Sequence, residues 1–232
     1  ITCPVVSTRG LKKIFVNENN HLVCESGCTM ESIVSYCLEH SLAGLERFAG
    51  LPGTIGGALY MNARCYDISI SDVVDSITYL DKNGELQVYH FDTNDWDYKK
   101  SPFQEKFESC TIISTELVVN AVSVDLTKLK SEADFYIKDR ENKGHFRYPS
   151  AGSVFKNNRA FGKPSGKIID ECGLKGYSIG GAQVAPWHGN LIINTGNATA
   201  KDIKDLTFYV AEHVYEQTGY KLEPEIIFLS SC

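Results

Sequence analysis

The sequence predicts an α+β fold in two domains. Strand-like segments come as hairpins and runs interrupted by isolated helical patterns, whereas a parallel sheet would alternate the two regularly. A length of 232 residues exceeds what one minimal core needs and suffices for two modest ones. Hydrophobic residues at 43%, aromatics at 11% and charged residues at 22% are globular values that exclude a disordered chain.

Along the chain, Leu11 to Asn17 and Leu22 to Cys24 read as short strands, and Thr29 launches a helix with Ile33, Val34, Cys37 and Leu38 inward. Residues 44 to 67 are dominated by glycine, small residues and Asn. Val73 to Leu80 and Glu85 to Phe91 then alternate about Asp81-Lys82-Asn83-Gly84, a hairpin signature. Thr111 to Val122 is a third strand, and Leu126 to Glu141 a helix that buries Leu126, Leu129, Ala133 and Ile137. A second glycine patch at 150 to 157 runs into an apolar strand. The last helix spans about Thr199 to Thr218, with Thr199 as N-cap, Asp202 at the third position and Gly219 as stop; Glu225 to Leu229 is the final strand. The boundary is expected near 122 to 126, giving domains of 1–124 and 125–232.

Lys and Arg number 23 against 29 Asp and Glu, a net charge of -6. Nucleic acid as main partner is therefore disfavoured, since a phosphate-backbone binder carries a basic surplus. No apolar run approaches the roughly 20 residues of a membrane-spanning helix. The eight cysteines follow no metal-like rhythm and read as reduced thiols, so no metal is expected. The chain opens Ile1-Thr2-Cys3 without Met, which predicts a fragment of a longer product.

Three turn-rich patches are candidates for chemistry. Ala49-Gly50-Leu51-Pro52-Gly53-Thr54-Ile55-Gly56-Gly57-Ala58 either brings bare N–H groups to a phosphate or is a tight turn where two segments cross. It fits neither the dinucleotide fingerprint nor the Walker pattern. Ser150-Ala151-Gly152-Ser153 offers either a serine that donates a proton or attacks, or an ordinary Ser turn. Gly180-Gly181 with Trp187-His188-Gly189-Asn190 holds His188 either against a ligand or in structural hydrogen bonds. Glu225 is either a solvated strand end or a carboxylate in a cleft.

Taken in order, these segments resemble the UDP-N-acetylenolpyruvoylglucosamine reductase family, flavoenzymes of peptidoglycan precursor synthesis. Leu51-Pro52-Gly53-Thr54-Ile55-Gly56-Gly57-Ala58 with Met61-Asn62-Ala63 looks like its flavin-binding loop. Arg140-Glu141-Asn142-Lys143, Tyr148-Pro149-Ser150-Ala151-Gly152-Ser153-Val154-Phe155-Lys156-Asn157 and Leu222-Glu223-Pro224-Glu225 match further signatures in the correct order. The resemblance implies an FAD-binding fold of the PCMH type, here its second subdomain, with a smaller α+β substrate-binding domain. The family's first subdomain has no counterpart in the chain. The short link from Asn157 to Ile168 looks like the compact form that lacks a substrate-covering insertion.

The activity so implied is reduction of UDP-N-acetylglucosamine enolpyruvate to UDP-N-acetylmuramate, with FAD as cofactor and NADPH as cosubstrate, by a cytoplasmic monomer. By the same resemblance Pro52, Gly53, Thr54, Ile55, Gly56, Gly57, Asn62, Arg140, Ala151 and Gly152 contact the flavin cofactor, and Lys156 and Asn157 the substrate. Ser153 falls on the proton donor and Glu225 on the active-site glutamate. Lys99 stands where the family has a substrate-clamping arginine, with Lys100 beside it, and Arg64 stands where glycine is usual. These departures keep a second reading open, binding of flavin or UDP-sugar without turnover.

Overall fold

A computed structural model describes residues 4–107, 109–121 and 126–229. They form two compact units, Val5–Lys138 and the chain from Asp139 onward, so the division falls within the helix Leu126–Asn142. The boundary expected near 122 to 126 falls mostly on 122–125, outside the described residues.

The first unit runs β1 (Ile14–Val16), β2 (His21–Glu25), α1 (Met30–Glu39), β3 (Leu42–Ala43), α2 (Ile55–Tyr60), β4 (Arg64–Cys65), β5 (Ile68–Ser69), β6 (Val74–Leu80), β7 (Leu86–His90), α3 (Pro102–Glu105), β8 (Thr111–Val118), β9 (Asn120–Ala121) and α4 (Leu126–Asn142). Its main sheet is antiparallel in the order β1-β2-β8-β6-β7. Strand β2 buries Leu22 and Cys24 and turns His21, Val23 and Glu25 the other way, the period-two pattern of a sheet with one packed face. Ile33, Val34 and Cys37 of α1 join Phe48, Ile55, Leu59, Ile77 and Leu117 in one core. The β6–β7 hairpin closes as expected: the Asp81 carboxylate accepts N–H bonds from Asn83 and Glu85 at 2.8 and 3.0 Å, and Gly84 takes φ +79°. The first expected strand shortens to Ile14–Val16. Leu126, the first residue of α4, stays exposed, a turn outside the Leu129–Ala133 stripe that is buried.

The second unit contains β10 (Ser150–Ser153), α5 (Ser165–Glu171), β11 (Ser178–Ile179), β12 (Ala182–Val184), β13 (Leu191–Asn194) and α6 (Ala200–Thr218). Its sheet, β10-β13-β12-β11, is also antiparallel. Leu206, Val210 and Val214 of α6 pack with Val154, Phe155, Ile168, Val184 and Ile192. Helix α6 starts in a reciprocal cap: the Asp202 N–H donates to Thr199 Oγ1 and the Thr199 N–H to Asp202 Oδ2. That bond from Thr199 also holds the Asp202 carboxyl below its usual range. Gly219 ends the helix at φ +74°.

Two expected strands are absent. Residues 154–157 and 225–229 form no ladder; a single bridge joins Phe155 to Pro224, flanked by bonds from Lys156 N–H to Glu223 O and from Glu225 N–H to Val154 O. Proline lacks an N–H and fits the non-bonded pair of an antiparallel ladder, but Ile227 and Leu229 beyond it are exposed and have no face to cover. Cys24, Cys28 and Cys37 are free and buried; burial pushes the Cys37 thiol up to about 12 and raises the Cys24 thiol as well. They act as small core hydrophobes. Among the described residues no helix is long and apolar enough to cross a membrane.

Thr199→Ala removes one half of the reciprocal cap and is expected to lower unfolding free energy by about 1 kcal/mol, read from the urea midpoint, while Thr199→Ser restores it.

Candidate functional site

In the first unit, the chain before and into α2 lies against the segment that leaves β2. The Met30 N–H donates to Gly53 O, Ile55 N–H to Cys28 O and Gly56 N–H to Ser26 O, at 2.9 to 3.1 Å, and Thr54 caps α2. A Cβ at Gly56 would sit 2.9 Å from both Ser26 O and Ser26 Cβ. Glycine there is demanded by a chain crossing, the second of the two readings open for this loop. Gly53 differs: it takes φ +103° and a Cβ would meet nothing within 4 Å. An open cleft of about 210 Å³ is lined by Ser26, Gly56, Gly57, Tyr60, Thr111 and Ile112, among others. The Ser26 hydroxyl is buried there without a hydrogen-bond partner.

Helix α2 is tied to the turn that carries Lys99. Asn62, just beyond the helix and buried, donates from Nδ2 to Asp97 O at 2.8 Å and accepts the Ser71 N–H on Oδ1. Ser101 Oγ and Gln104 Nε2 both donate to Tyr60 O, and Gln104 also reaches Lys99 O. Lys99 itself is in the left-handed region at φ +57°. Lys100 pairs with Glu105 at 3.0 Å across exposed surface. Arg64 folds along its own β4–β5 hairpin, reaching Ser69 Oγ and Asp67.

The second unit organises its candidates around Asn190. This buried side chain accepts the Phe155 N–H at 2.9 Å and donates to Phe155 O at 2.8 Å, while Asn190 O accepts the Val154 N–H. Ser153 precedes this clamp at the end of β10, after Gly152 at φ +81°, and Ala151 beside it is exposed. Glu225 is brought to the same segment by its N–H bond to Val154 O at 2.7 Å. Lys156 pairs with Glu223 at 2.6 Å. Asn157 Oδ1 accepts the Ser165 N–H, and Ser165 Oγ donates to Lys156 O, which fixes the start of α5 against residues 156–157. Arg140, on the last turn of α4, is buried.

His188 takes the structural of its two readings. Its Nδ1 accepts the Asn190 N–H at 3.2 Å, which requires that nitrogen unprotonated. The His145 ring lies 5.5 Å from it, and burial holds both imidazoles below their ordinary range, with each other, Arg140 and Lys143 adding to the effect on His145. The third glycine patch is likewise structural: a Cβ at Gly181 would strike Ala198 N at 2.4 Å, and one at Gly180 the Asp202 carboxylate.

Residues 144–229 match the family described as UDP-N-acetylenolpyruvoylglucosamine reductase, C-terminal domain, and residues 2–89 match an FAD binding domain. The UDP-N-acetylenolpyruvoylglucosamine reductase of Treponema denticola is 47% identical over 97% of this chain and 73% of its own length. The chain belongs to the UDP-N-acetylenolpyruvoylglucosamine reductase family. The Borreliella burgdorferi reductase is 45% identical over 99% of the chain and 74% of its own. The crystal structure of the Thermus caldophilus reductase superposes with a TM-score of 0.73 at 28% identity, covering 88% of this chain and 70% of that one.

For a reductase of this family the test is whether FAD fits. In the first unit, the glycine-floored cleft meets it: a Cβ at Gly57 would touch only Thr54 Oγ1, at 3.8 Å, so the backbone there lies open. A buried hydroxyl on Ser26 without a partner is an available contact. Reading the sequence missed Ser26, Asn190 and Ser165. Ser26 and Asn190 meet segments far along the chain, at Gly56 and Phe155, and Ser165 bonds back to Asn157 across a loop, so nothing local marks them.

Because His145 and His188 are held neutral in the fold, the unfolded chain takes up protons first as pH falls. The stability they contribute is complete above about pH 6.5 and is lost as pH drops through their lowered folded values. The thermal midpoint is expected to fall between about pH 7.5 and 5, and to fall less in the His145→Gln, His188→Gln double variant; equal slopes would exclude these two groups.

Proposed function

We propose that this chain reduces UDP-N-acetylglucosamine enolpyruvate to UDP-N-acetylmuramate with FAD as cofactor and NADPH as cosubstrate, in the cytoplasm. The observation that carries the reading is the clamp at Asn190, which holds Ser153, Lys156 and Glu225 along one short stretch of the second unit, in a chain 47% identical to a reductase of that name. No comparison supports binding without turnover.

The residues then divide the work. FAD, when bound, supplies two-electron hydride chemistry. Gly53 and Gly57 offer it backbone without side chains, and the family pattern assigns Arg140, Ala151 and Gly152 to the same cofactor. Asn62 is assigned to holding the Lys99 turn, since both ends of its carboxamide bond within the protein. Ser153 Oγ gives its proton to the substrate carbon next to the one reduced. A hydroxyl is a weak acid, so this needs charge developing on the substrate that its neighbours stabilise, and Glu225 holds that geometry. Lys99 contributes a point charge for the substrate carboxylate, without the planar fork of arginine. Lys156 reaches the diphosphate by exchanging Glu223, an exposed partner whose pairing contributes little.

The purified protein with FAD should show flavin absorbance that bleaches with NADPH. Ser153→Ala should keep that bleaching while product formation falls by about 10²- to 10⁴-fold. Failure to bind FAD sinks the proposal, and equal loss of both half-reactions removes Ser153 from proton donation.

A further inference from the structure

The main sheet of the first unit gathers one imidazole and two carboxylates from three adjacent strands, apart from every residue assigned above. His21 of β2, Glu116 of β8 and Asp75 of β6 place one ligand atom each within 4.8 Å of the others. His21 Nδ1 stands 3.4 Å from Glu116 Oε2 and 3.7 Å from Asp75 Oδ2. Asp75 reaches this position because β6 is irregular there. Val74 pairs with Leu117 and Ser76 with Glu116, which leaves Asp75 as the additional residue of a bulge, a device that re-aims a side chain.

Two details separate this cluster from a surface ion pair. The His21 Nδ1 atom is fully covered yet has no hydrogen-bond partner, although two carboxylates flank it. A covered ring nitrogen left so is costly unless something sits between it and the oxygens. The 3.4 Å from His21 to Glu116 also matches a ligand–ligand edge, since bonds of about 2.0–2.1 Å around a tetrahedral ion set its ligands roughly 3.4 Å apart, and the 3.7 Å to Asp75 is a few tenths of an ångström longer. Asn17 supplies outer support. Its Nδ2 donates to Glu116 Oε2 at 2.8 Å, orienting that ligand, and its Oδ1 accepts the His21 backbone N–H at 3.0 Å, which fixes the chain that carries the imidazole.

We infer that His21, Asp75 and Glu116 form a binding site for a divalent transition-metal ion, with zinc as the occupant and water completing its coordination. One imidazole with two carboxylates suits zinc and its borderline neighbours. Copper(I) prefers thiolates, and calcium would require six to eight oxygens. The side chains are 24%, 41% and 36% exposed, so an ion reaches them from solvent. Bound there it joins β2, β8 and β6.

The test is calorimetric titration of the chelator-treated full chain with zinc chloride, beside His21→Ala, Asp75→Asn and Glu116→Gln. One ion per chain is expected, with affinity reduced roughly tenfold or more in each variant. Thermal unfolding gives a second reading that does not involve catalysis. Without zinc, Asp75→Asn should raise the midpoint by relieving repulsion between carboxylates; with zinc, the parent midpoint should rise and that of Asp75→Asn should not follow. No zinc binding by the parent, or equal binding by all three variants, which would place the metal on cysteines, overturns the inference.

Discussion

The close approach of Gly56 to Ser26 is the constraint on which the first unit's cleft depends. Hydrogen bonds from Met30, Ile55 and Gly56 fasten the two segments. Each contributes about 1 kcal/mol net, so they hold the crossing without dictating it. The steric term dictates it: with 2.9 Å between a virtual Cβ and two Ser26 atoms, any other side chain must separate the strands or shift the helix. Because the Ile55 and Gly56 N–H groups point inward to Cys28 and Ser26, the loop presents a bare surface more than a ring of donors. A flat ring suits such a floor.

In the second unit one side chain replaces a strand. Where β10 ends at Ser153, the next pairing of the ladder is made by the Asn190 carboxamide, which offers Phe155 both an acceptor and a donor as a strand backbone would. The opposite edge of the same residues is bonded by Glu223 and Glu225. Residues 154–156 are therefore fixed on both sides although they belong to no strand, and both the oxygen and the nitrogen of the buried amide are bonded. A serine and a glutamate on regular ladders would present side chains at a fixed pleat; the register shift within β10, between Ser150 and Ser153, loosens that alternation for Ser153.

The contrast between what the sequence disclosed and what it hid follows sequence distance. Thr199, Asp202 and Gly219 were legible because a cap is a contract among residues three or four apart, and the Asp81–Gly84 hairpin for the same reason. The glycine loop was visible as composition, but its partner Ser26 lies thirty residues earlier, so the two readings of the loop were inseparable without the fold. Glu225 to Leu229 has strand composition and forms no strand, because pairing is settled by what lies alongside. The family pattern supplied Ser153 and Glu225, which local chemistry alone left undecided. The bulge at Asp75 had no signal at all, being a register property of two strands together.

The departures at Lys99 and Arg64 look different once their surroundings are included. Lys99 occupies the left-handed region, which costs a non-glycine residue roughly 1 kcal/mol or more and persists only where neighbours impose it. Asn62 and Gln104 impose it here, through Asp97 O and Lys99 O. Exchanging arginine for lysine on a backbone so held alters the fork of the cation and leaves its point of departure in place. Arg64 takes no φ that would require glycine and directs its guanidinium to Ser69 and Asp67 of its own hairpin. Its charge is thereby partly balanced within four residues of chain, and the glycine loop retains the backbone that its crossing demands.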